Sequence, residues 1–379
     1  IEARRKNLPI ITRGKMLAHI VSLMKNIVVV GSHGKTTTTS MVAKIFSEAN
    51  LSPTYVVGGK VLSTDENSDL GKGKYLVAEA DESDGTFIHL QPDVALITNI
   101  DDDHLSHYNN IFENLLDSFV TFLENIPFWG YMVINGDDKD VLKVSKRISR
   151  KQVTFGETRS CNYQISDIRS ANGKQSFRIL DTRKDKFYNF LLNIPGKHNV
   201  FNAAGSIAVA LEESIEIQII QKAISEFSGV GRRYEKHAIN VSSKDIILID
   251  DYGHHPIEID ANLSAIKEEF SEKKVCMIFQ PHRYTRTEQL FDDFVRVLAR
   301  VDSLILLDIY EASEKPIKGI NSKAIAQKII QQGHSDVIHV TDHSKINQIL
   351  NSKKDHIDVL VTQGAGSISK VCESIIKNA

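Results

Sequence analysis

The stretch GSHGKTTTT, residues 31–39, combines residue types that bind phosphate in proteins. Backbone N–H groups at the start of a helix form a nest for anions, and the positive end of the helix dipole strengthens it. In such a loop the ammonium of Lys35 would bind terminal phosphates, and the hydroxyl of Thr36 would bind Mg²⁺. The stretch therefore predicts a phosphate-binding loop.

The glycine spacing departs from the strict nucleotide-binding pattern, which has four residues between its first glycine and its Gly-Lys pair. Here two residues separate Gly31 from Gly34, and Val29 occupies the position of the expected glycine. The apolar run before the loop and the helical pattern after it still favour phosphate binding over a glycine turn before an ordinary helix. The short spacing indicates a specialised family.

Two acidic stretches follow apolar, β-branched runs, EADESD at 79–84 and TNIDDDH at 98–104. A carboxylate at a strand end, here Glu79, is well placed to reach Mg²⁺ held by the loop, because hard cations take oxygen ligands. His104 adds a candidate nitrogen ligand, although a lone histidine is more often structural. The alternative for the acidic cluster is a solvated turn.

The stretch GKHNVFNA, residues 196–203, places Asn199 and Asn202 on one face at the start of a predicted helix. Side-chain amides both donate and accept hydrogen bonds, so the pair could bind a purine ring. The alternative is that one asparagine caps the helix.

Three further polar clusters lie in the second half of the chain. They are GRRY with Arg232 and Arg233, DDYGHHP with Asp250, Asp251, Tyr252, His254 and His255, and FQPHRYTRT with His282, Arg283 and Arg286. The guanidinium fork binds carboxylates and phosphates through paired hydrogen bonds, so these arginines suit an anionic ligand. For any single arginine the alternative is a structural salt bridge.

The order of the elements explains how these residues could meet. Strand patterns alternate with helical patterns at 14–24, 36–49 and 111–125, which predicts an α/β fold with a parallel sheet and helices on both faces. Ligands bind at the carboxyl ends of such strands, where the polar clusters fall. Between residues 151 and 194, short strand-like stretches alternate with turn residues, which predicts a small antiparallel β subdomain. Residues 236–379 repeat the α/β pattern and predict a second doubly wound, Rossmann-like domain.

Composition bounds the class of protein. The 379 residues are enough for two domains, and a net charge of −2 argues against a nucleic-acid or anionic-membrane surface. The three cysteines follow no metal or disulfide pattern, and neither a membrane span nor a signal peptide is visible, so we expect a cytoplasmic protein. The chain begins without Met and without a starting strand, which leads us to expect that an N-terminal portion is absent.

Eight stretches occur in the order found in the Mur ligases of peptidoglycan synthesis, and the chain resembles that family over essentially its whole length. The stretches are GSHGKTTTT, EADESD, TNIDDDH, GKHNVFNA, GVGRRYE, DDYGHHP, FQPHRYTRT and IYEASEKPIKG. The family's loop has the same short glycine spacing, which accounts for Val29.

The resemblance implies three domains. Residues 1–24 would be the tail and linker of an N-terminal UDP-binding domain that is otherwise largely absent. Residues 25–231 would form the central ATP-binding, P-loop-type domain with its β subdomain, and residues 236–379 the C-terminal domain. The loss of the first domain would put sugar-nucleotide binding by this chain in doubt.

The implied activity is ATP-dependent addition of L-alanine to the lactyl carboxylate of UDP-N-acetylmuramate through an acyl phosphate, in a monomer or homodimer. The family's motifs imply that ATP is bound by Gly31, Ser32, His33, Gly34, Lys35, Thr36, Thr37, Asn199, Asn202, Arg233 and Asp251. They imply that Mg²⁺ is bound by Thr36, Glu79 and His104. They imply that the substrates are bound by Asp81, Glu82, Ser83, Tyr252, His254, Arg283 and Arg286, with Lys35, His104, His254 and Arg283 as catalytic residues.

Two alternatives stay open at this point. A murein tripeptide ligase shares the loop and several later motifs, although its third-domain motif differs from DYGHHP. A nucleotide-binding module without ligase activity is the other alternative, because the first domain is expected to be missing.

Overall fold

The computed structural model describes residues 2–62, 66–103, 105–241 and 243–379. By internal contacts the chain divides into two compact units, Ile1–Val230 and Gly231–Ala379. Each unit is built around its own sheet. None of the described helices is long and apolar enough to cross a membrane.

Ten described strands of the first unit pair into one sheet, in the order β10-β9-β8-β7-β6-β5-β1-β4-β2-β3. In chain order they are β1 (Lys25–Val30), β2 (Thr54–Val61), β3 (Glu66–Asp69), β4 (Tyr75–Glu79), β5 (Val94–Ile97), β6 (Tyr131–Asn135), β7 (Lys151–Gly156), β8 (Tyr163–Ala171), β9 (Lys174–Asp181) and β10 (Lys186–Leu192).

The middle of this sheet is parallel, as the alternating pattern predicts. β1 pairs with β4 and β5, which brings Val29 opposite Glu79 on one side and Leu96 on the other. Because the strands run in one direction, the residues that follow β1, β4 and β5 all lie at the same edge of the sheet. This carboxyl edge is where the loop and both acidic stretches fall.

The predicted antiparallel subdomain is only partly correct. β8, β9 and β10 do pair antiparallel, but they extend the ten-stranded sheet instead of forming a sheet of their own. β7, which the prediction included, pairs parallel with β6. Short alternating strands look alike in sequence in either direction, because the alternation records burial and not the direction of the partner.

Helices cover both faces of the first sheet. The helices described in this unit are α1 (Glu2–Arg5), which has no buried residue, α2 (Arg13–Val21), α3 (Lys35–Glu48), α4 (Phe112–Glu124), α5 (Lys139–Ser145), α6 (Lys197–Glu212) and α7 (Ile217–Ser225). Successive β1 side chains enter opposite cores. Ile27 and Val29 belong to the core that includes α3, α6 and α7, whereas Val28 and Val30 belong to the core that includes α4 and α5. Both faces are buried, so β1 is apolar almost throughout.

The second unit contains a described six-stranded sheet in the order β11-β12-β16-β13-β14-β15. Its strands are β11 (Glu235–Val241), β12 (Lys244–Asp251), β13 (Val275–Phe279), β14 (Ser303–Leu307), β15 (Val337–Val340) and β16 (Val359–Gln363). Its helices are α8 (Pro256–Glu269), α9 (Tyr284–Gln289), α10 (Phe291–Leu298), α11 (Ser322–Gln331), α12 (Ile346–Lys353) and α13 (Ile368–Asn378). Apart from the antiparallel edge strand β11, the pairing is parallel, with apolar cores on both faces as predicted.

Candidate active site

The loop between β1 and α3 has the backbone shape that its glycines predict. Gly31 has φ +135° and Gly34 has φ +80°, a region that side chains disfavour. A Cβ added at Gly31 would lie 2.2 Å from the Thr98 hydroxyl oxygen, and one at Gly34 would lie 2.4 Å from Oδ1 of Asn202. Glycine is therefore required at both positions. The loop leads directly into the first turn of α3, whose N–H groups have no partners within the helix.

A run of threonines continues the helix after Lys35, although β-branched residues are weak helix formers. Thr36, Thr37, Thr38 and Thr39 are all buried. The Thr39 hydroxyl donates to the Lys35 carbonyl oxygen at 2.8 Å, so this polar group is satisfied inside the helix. Thr37 thus lies in the first turn of α3, as the loop pattern predicts.

The Lys35 ammonium curls back over the loop. It donates to the carbonyl oxygens of Gly31 at 2.6 Å and Ser32 at 3.2 Å. It also contacts both carboxylate oxygens of Glu82, at 2.8 and 3.0 Å. Burial alone would lower the pKa of Lys35, but the nearby Glu82 and Asp81 carboxylates raise it above its usual value. The side chain is therefore a fixed positive charge at the loop.

Thr36 and Glu79 lie side by side. The Thr36 hydroxyl donates to Oε1 of Glu79 at 3.1 Å, and the Gly58 N–H donates to Oε2 at 2.7 Å. A hydroxyl and a carboxylate this close form an oxygen donor set of the kind that Mg²⁺ binds. The third predicted metal ligand, His104, lies outside the described residues.

The residues after β5 hold the loop in shape, a role that the sequence pattern did not indicate. The Thr98 hydroxyl and the Asn99 amide both donate to the His33 carbonyl oxygen, at 2.7 and 3.0 Å. Asn99 Oδ1 accepts from the His33 N–H at 2.8 Å. The Asp101 N–H donates to the Ser32 hydroxyl at 2.8 Å. The signal that could have identified them is their position directly after a strand adjacent to β1.

Asn199 and Asn202 are buried near the start of α6. The Asn202 amide donates to Oδ1 of Asn199 at 3.2 Å, and the Asn199 amide donates to the Pro195 carbonyl oxygen at 2.7 Å. Neither residue caps α6, because the N-cap is Gly196. Since Asn202 contacts Gly34, this pair lies beside the phosphate-binding loop.

The stretch after β4 divides into buried and exposed residues. Glu82 is 1% exposed, and its carboxylate faces Lys35. Asp81 is exposed, and it accepts from the Ser83 N–H at 3.1 Å and the Ser83 hydroxyl at 2.8 Å. Of the three predicted substrate-binding residues here, Glu82 thus contacts the loop lysine, while Asp81 and Ser83 form a turn.

In the second unit, Asp251 is a buried anchor at the end of β12. Its carboxylate accepts from the N–H groups of Tyr234 and Gly253, both at 2.8 Å, and from the Gln363 amide at 2.7 Å. Burial raises the pKa of Asp251, while the Arg233 charge opposes that shift. The carboxylate therefore organises the loop that carries Tyr252 and His254.

The two arginines of GRRY differ in their surroundings. Arg232 donates to the Asp250 carboxylate at 2.9 Å and to the Gly364 carbonyl oxygen at 2.8 Å, so it serves as a structural bridge. Arg233 lies over the Tyr252 ring at 4.9 Å and is 3.8 Å from the Glu258 carboxylate, a looser set of contacts. Arg233 is the better placed of the two to bind an anion.

Aromatic rings form a continuous row along the carboxyl edge of the second sheet. Ring centroids lie 5.6 Å apart for Tyr252 and His254, 5.5 Å for His254 and His282, and 5.4 Å for His282 and Tyr310. His282 belongs to the predicted polar cluster FQPHRYTRT but was assigned no specific role, and Tyr310 was not predicted. Arg286 is buried behind this row, with its guanidinium 3.3 Å from the His282 carbonyl oxygen.

Arg283 has the unusual backbone angle φ +74° at the start of α9. A non-glycine residue in this region costs about 1–3 kcal/mol, and such strain clusters at functional sites. Its guanidinium lies 3.6 Å from the Glu314 carboxylate, and the Arg283 side chain is 42% exposed. A cavity of ≈ 390 Å³ opens nearby at the ends of β13, β14 and β16, and Gln280, Asp308, Tyr310 and Ser367 are among its lining residues.

Comparison with family models gives two matches. The Mur ligase middle domain matches residues 29–210, and the Mur ligase, glutamate ligase domain, matches residues 232–366.

A UDP-N-acetylmuramate–L-alanine ligase of Psychrobacter sp. (strain PRwf-1) is 41% identical over 378 residues, which is 99% of this chain and 79% of that protein. The crystal structure of a UDP-N-acetylmuramate–alanine ligase from Thermotoga maritima superposes with a TM-score of 0.83 at 27% identity, over all of this chain and 81% of the other. A murein peptide ligase from Psychrobacter arcticus shares the fold, with a TM-score of 0.71 at 20% identity over 99% of this chain and 82% of the other.

Proposed function

The chain belongs to the Mur ligase family, and on that premise we propose that it joins L-alanine to the lactyl carboxylate of UDP-N-acetylmuramate as ATP becomes ADP and phosphate. The observation that carries the proposal is the glycine loop with Lys35 and the adjacent Thr36–Glu79 pair. The naming of relatives that are 41% identical over the chain supports the choice of substrates.

The first step is phosphoryl transfer. A lactyl carboxylate oxygen attacks the γ-phosphorus, the bond to the bridging oxygen of ADP breaks, and an acyl phosphate forms. The protein contributes mainly position and charge to such a reaction. The fixed Lys35 ammonium stabilises negative charge on the phosphate oxygens, and the N–H groups at the start of α3 hold them.

The residues present fit an ATP–Mg²⁺ complex. The loop allows close backbone approach only because Gly31 and Gly34 lack side chains, and Thr36 with Glu79 would hold the metal. When bound, Mg²⁺ supplies positive charge to the phosphates. His104 stays a predicted ligand. Asn199 and Asn202, which lie beside the loop, are proposed to bind adenine, with Arg233 and Asp251 as further predicted nucleotide contacts.

The second step forms the amide bond. The amine nitrogen of L-alanine attacks the acyl carbon, the tetrahedral intermediate expels phosphate, and the nitrogen loses a proton. We assign this side of the reaction to Tyr252, His254, Arg283 and Arg286. The aromatic row can bind a small substrate, and the two arginines can bind the alanine carboxylate and the acyl phosphate.

Several broader expectations belong to the same proposal. Residues 1–24 are proposed as the linker from a UDP-binding domain, 25–231 as the ATP-binding domain and 236–379 as the C-terminal domain. We propose a cytoplasmic enzyme that acts as a monomer or homodimer.

The test is phosphate release by the purified protein with ATP, Mg²⁺ and UDP-N-acetylmuramate. Release that depends on L-alanine, together with an amide product of the matching mass, is the expected result. Equal or greater release with the tripeptide of murein recycling would assign the protein to the alternative reaction. Nucleotide binding with no amide product under any of these conditions would support the inactive-module alternative.

A further inference from the structure

The ammonium of Lys35 is fully engaged by groups of the protein itself. An ammonium has three N–H donors. Here they face the Gly31 carbonyl oxygen at 2.6 Å, the Ser32 carbonyl oxygen at 3.2 Å and the Glu82 carboxylate at 2.8 Å. A phosphate oxygen that binds Lys35 therefore has to replace one of these partners.

Glu82 is the partner of Lys35 that a phosphate oxygen can displace. The two carbonyl oxygens belong to a loop that Thr98, Asn99 and Asp101 hold in place. The Glu82 backbone is also held, because the Tyr108 hydroxyl donates to its carbonyl oxygen, but its side chain can rotate about its own bonds. A carboxylate beside a triphosphate is repelled by it, whereas the carbonyl oxygens carry no net charge.

We propose that the Glu82 carboxylate occupies the position of a phosphate group beside Lys35 when no nucleotide is bound. It is a positioning residue that holds Lys35 over the loop before nucleotide binds, and the nucleotide phosphates displace its carboxylate. This inference rests on the proposed function, and it differs from the expectation that Glu82 contacts the sugar nucleotide.

The proposal predicts that Glu82 weakens nucleotide binding. Binding has to separate a buried ion pair whose carboxylate is 1% exposed and whose lysine side chain is 12% exposed. Hydrogen bonds to charged groups are stronger than those to neutral groups, so the weaker competition from the neutral amide in Glu82→Gln should tighten nucleotide binding about tenfold. Because the pair is already separated in the complex, kcat should change by less than about twofold while KM for ATP falls.

The experiment is calorimetric titration of a non-hydrolysable ATP analogue with Mg²⁺ into the protein, Glu82→Gln and the control Asp84→Asn. Asp84 is an exposed carboxylate of the same turn that accepts from Thr86, so its variant removes an equal charge without touching Lys35. A tenfold lower Kd for Glu82→Gln alone is the expected result. A thermal melt of each variant confirms folding before titration.

Two results would overturn the inference: an unchanged or weaker Kd for Glu82→Gln, or equal tightening in Asp84→Asn. If Glu82→Gln does not fold, Glu82→Asp replaces it, because it keeps the charge but shortens the reach, and its Kd should fall by a smaller factor. An unchanged Kd for folded Glu82→Asp would then overturn the inference. A higher KM for UDP-N-acetylmuramate with unchanged nucleotide affinity in the Glu82 variant would indicate instead that Glu82 contacts the sugar nucleotide. Failure of the unaltered protein to bind the analogue would instead contradict the proposed function.

Discussion

Buried carboxylates pair with cations at both edges of the first unit's sheet, but the pairs at the two edges have different roles. At the carboxyl edge, Glu82 pairs with Lys35, the first residue of α3. At the amino edge, Glu212 and Glu213 at the end of α6 accept hydrogen bonds from residues that begin strands and from Arg183, in the turn between β9 and β10. The helix dipole disfavours a cation at a helix start and an anion at a helix end, so both sites depend on compensating charges.

At the amino edge, several fixed side chains compensate the negative charge of each carboxylate. Glu213 accepts from Lys25 at 2.5 Å, Tyr75 at 2.7 Å and Tyr131 at 3.0 Å. These three residues begin β1, β4 and β6, so one carboxylate ties three strands to one helix.

Glu212 likewise connects α6 to the starts of β7 and β8 and to the turn between β9 and β10. It accepts from Lys151, Tyr163 and Arg183 at 2.6–2.8 Å. Although burial raises the pKa of Glu212, hydrogen bonds from these residues lower it to about 2. This difference indicates that a buried carboxylate is structural when several fixed groups donate hydrogen bonds to it. A buried carboxylate that is paired with a single side chain can be displaced by a ligand.

The largest effect is expected from Lys35→Ala. Loss of the charge that faces the phosphates should lower turnover by about a hundred- to a thousandfold, since single donors that stabilise the transition state contribute factors of this order. Coupled assays of ADP formation measure it. The double variant Lys35→Ala with Glu82→Gln should recover thermal stability, because no buried carboxylate is left without a cation, yet recover no turnover. Near-normal turnover in Lys35→Ala would show that the Lys35–Glu82 pair is structural, like the carboxylates at the amino edge.

A smaller effect is expected from Glu79→Gln. The neutral amide keeps the hydrogen-bonding shape beside Thr36 but weakens binding of a divalent cation. The Mg²⁺ concentration for half-maximal activity should rise about tenfold or more. Magnesium titrations at saturating ATP measure this, with Glu113→Gln, an exposed carboxylate on α4, as the control. An unchanged magnesium requirement would remove Glu79 from the metal site.

The opposite result is expected at the amino edge. Glu212→Gln should lower the free energy of unfolding by about 2 kcal/mol, because a charged acceptor of three hydrogen bonds is lost. Urea unfolding measures it, and the nucleotide Kd should stay within about twofold. Glu216→Gln is the matched control, because Glu216 is exposed and its side chain caps no helix. A large loss of nucleotide affinity in a folded Glu212→Gln would mean that the two edges are not separate.

The comparison also shows what the sequence could predict. The loop, Thr36 and Glu79 were predicted together because residues that follow parallel strands meet at one edge. The pairing of Lys35 with Glu82 was not predicted, since side chains 47 residues apart meet only through tertiary packing. The amino-edge network was missed altogether, because Glu212 and Glu213 in sequence resemble an ordinary solvated helix end. Their partners lie at the starts of strands and in one turn, where no motif marks them.

The smallest effect concerns the acid dependence of stability. The folded-state pKa of Glu212 is lowered to about 2, below the unfolded value of about 4.3. Its contribution is therefore fully present above the unfolded pKa and is lost as pH falls from about 4.3 toward 2. Allowing for partial screening by solvent, we expect Glu212→Gln to lose about 1–2 kcal/mol less stability than the unaltered protein over that range. Urea unfolding at pH 6, 4 and 3 measures the difference, with Glu216→Gln again as the control. Parallel stability curves for Glu212→Gln and the unaltered protein would show that the carboxylate charge is not what fastens α6 to the strands.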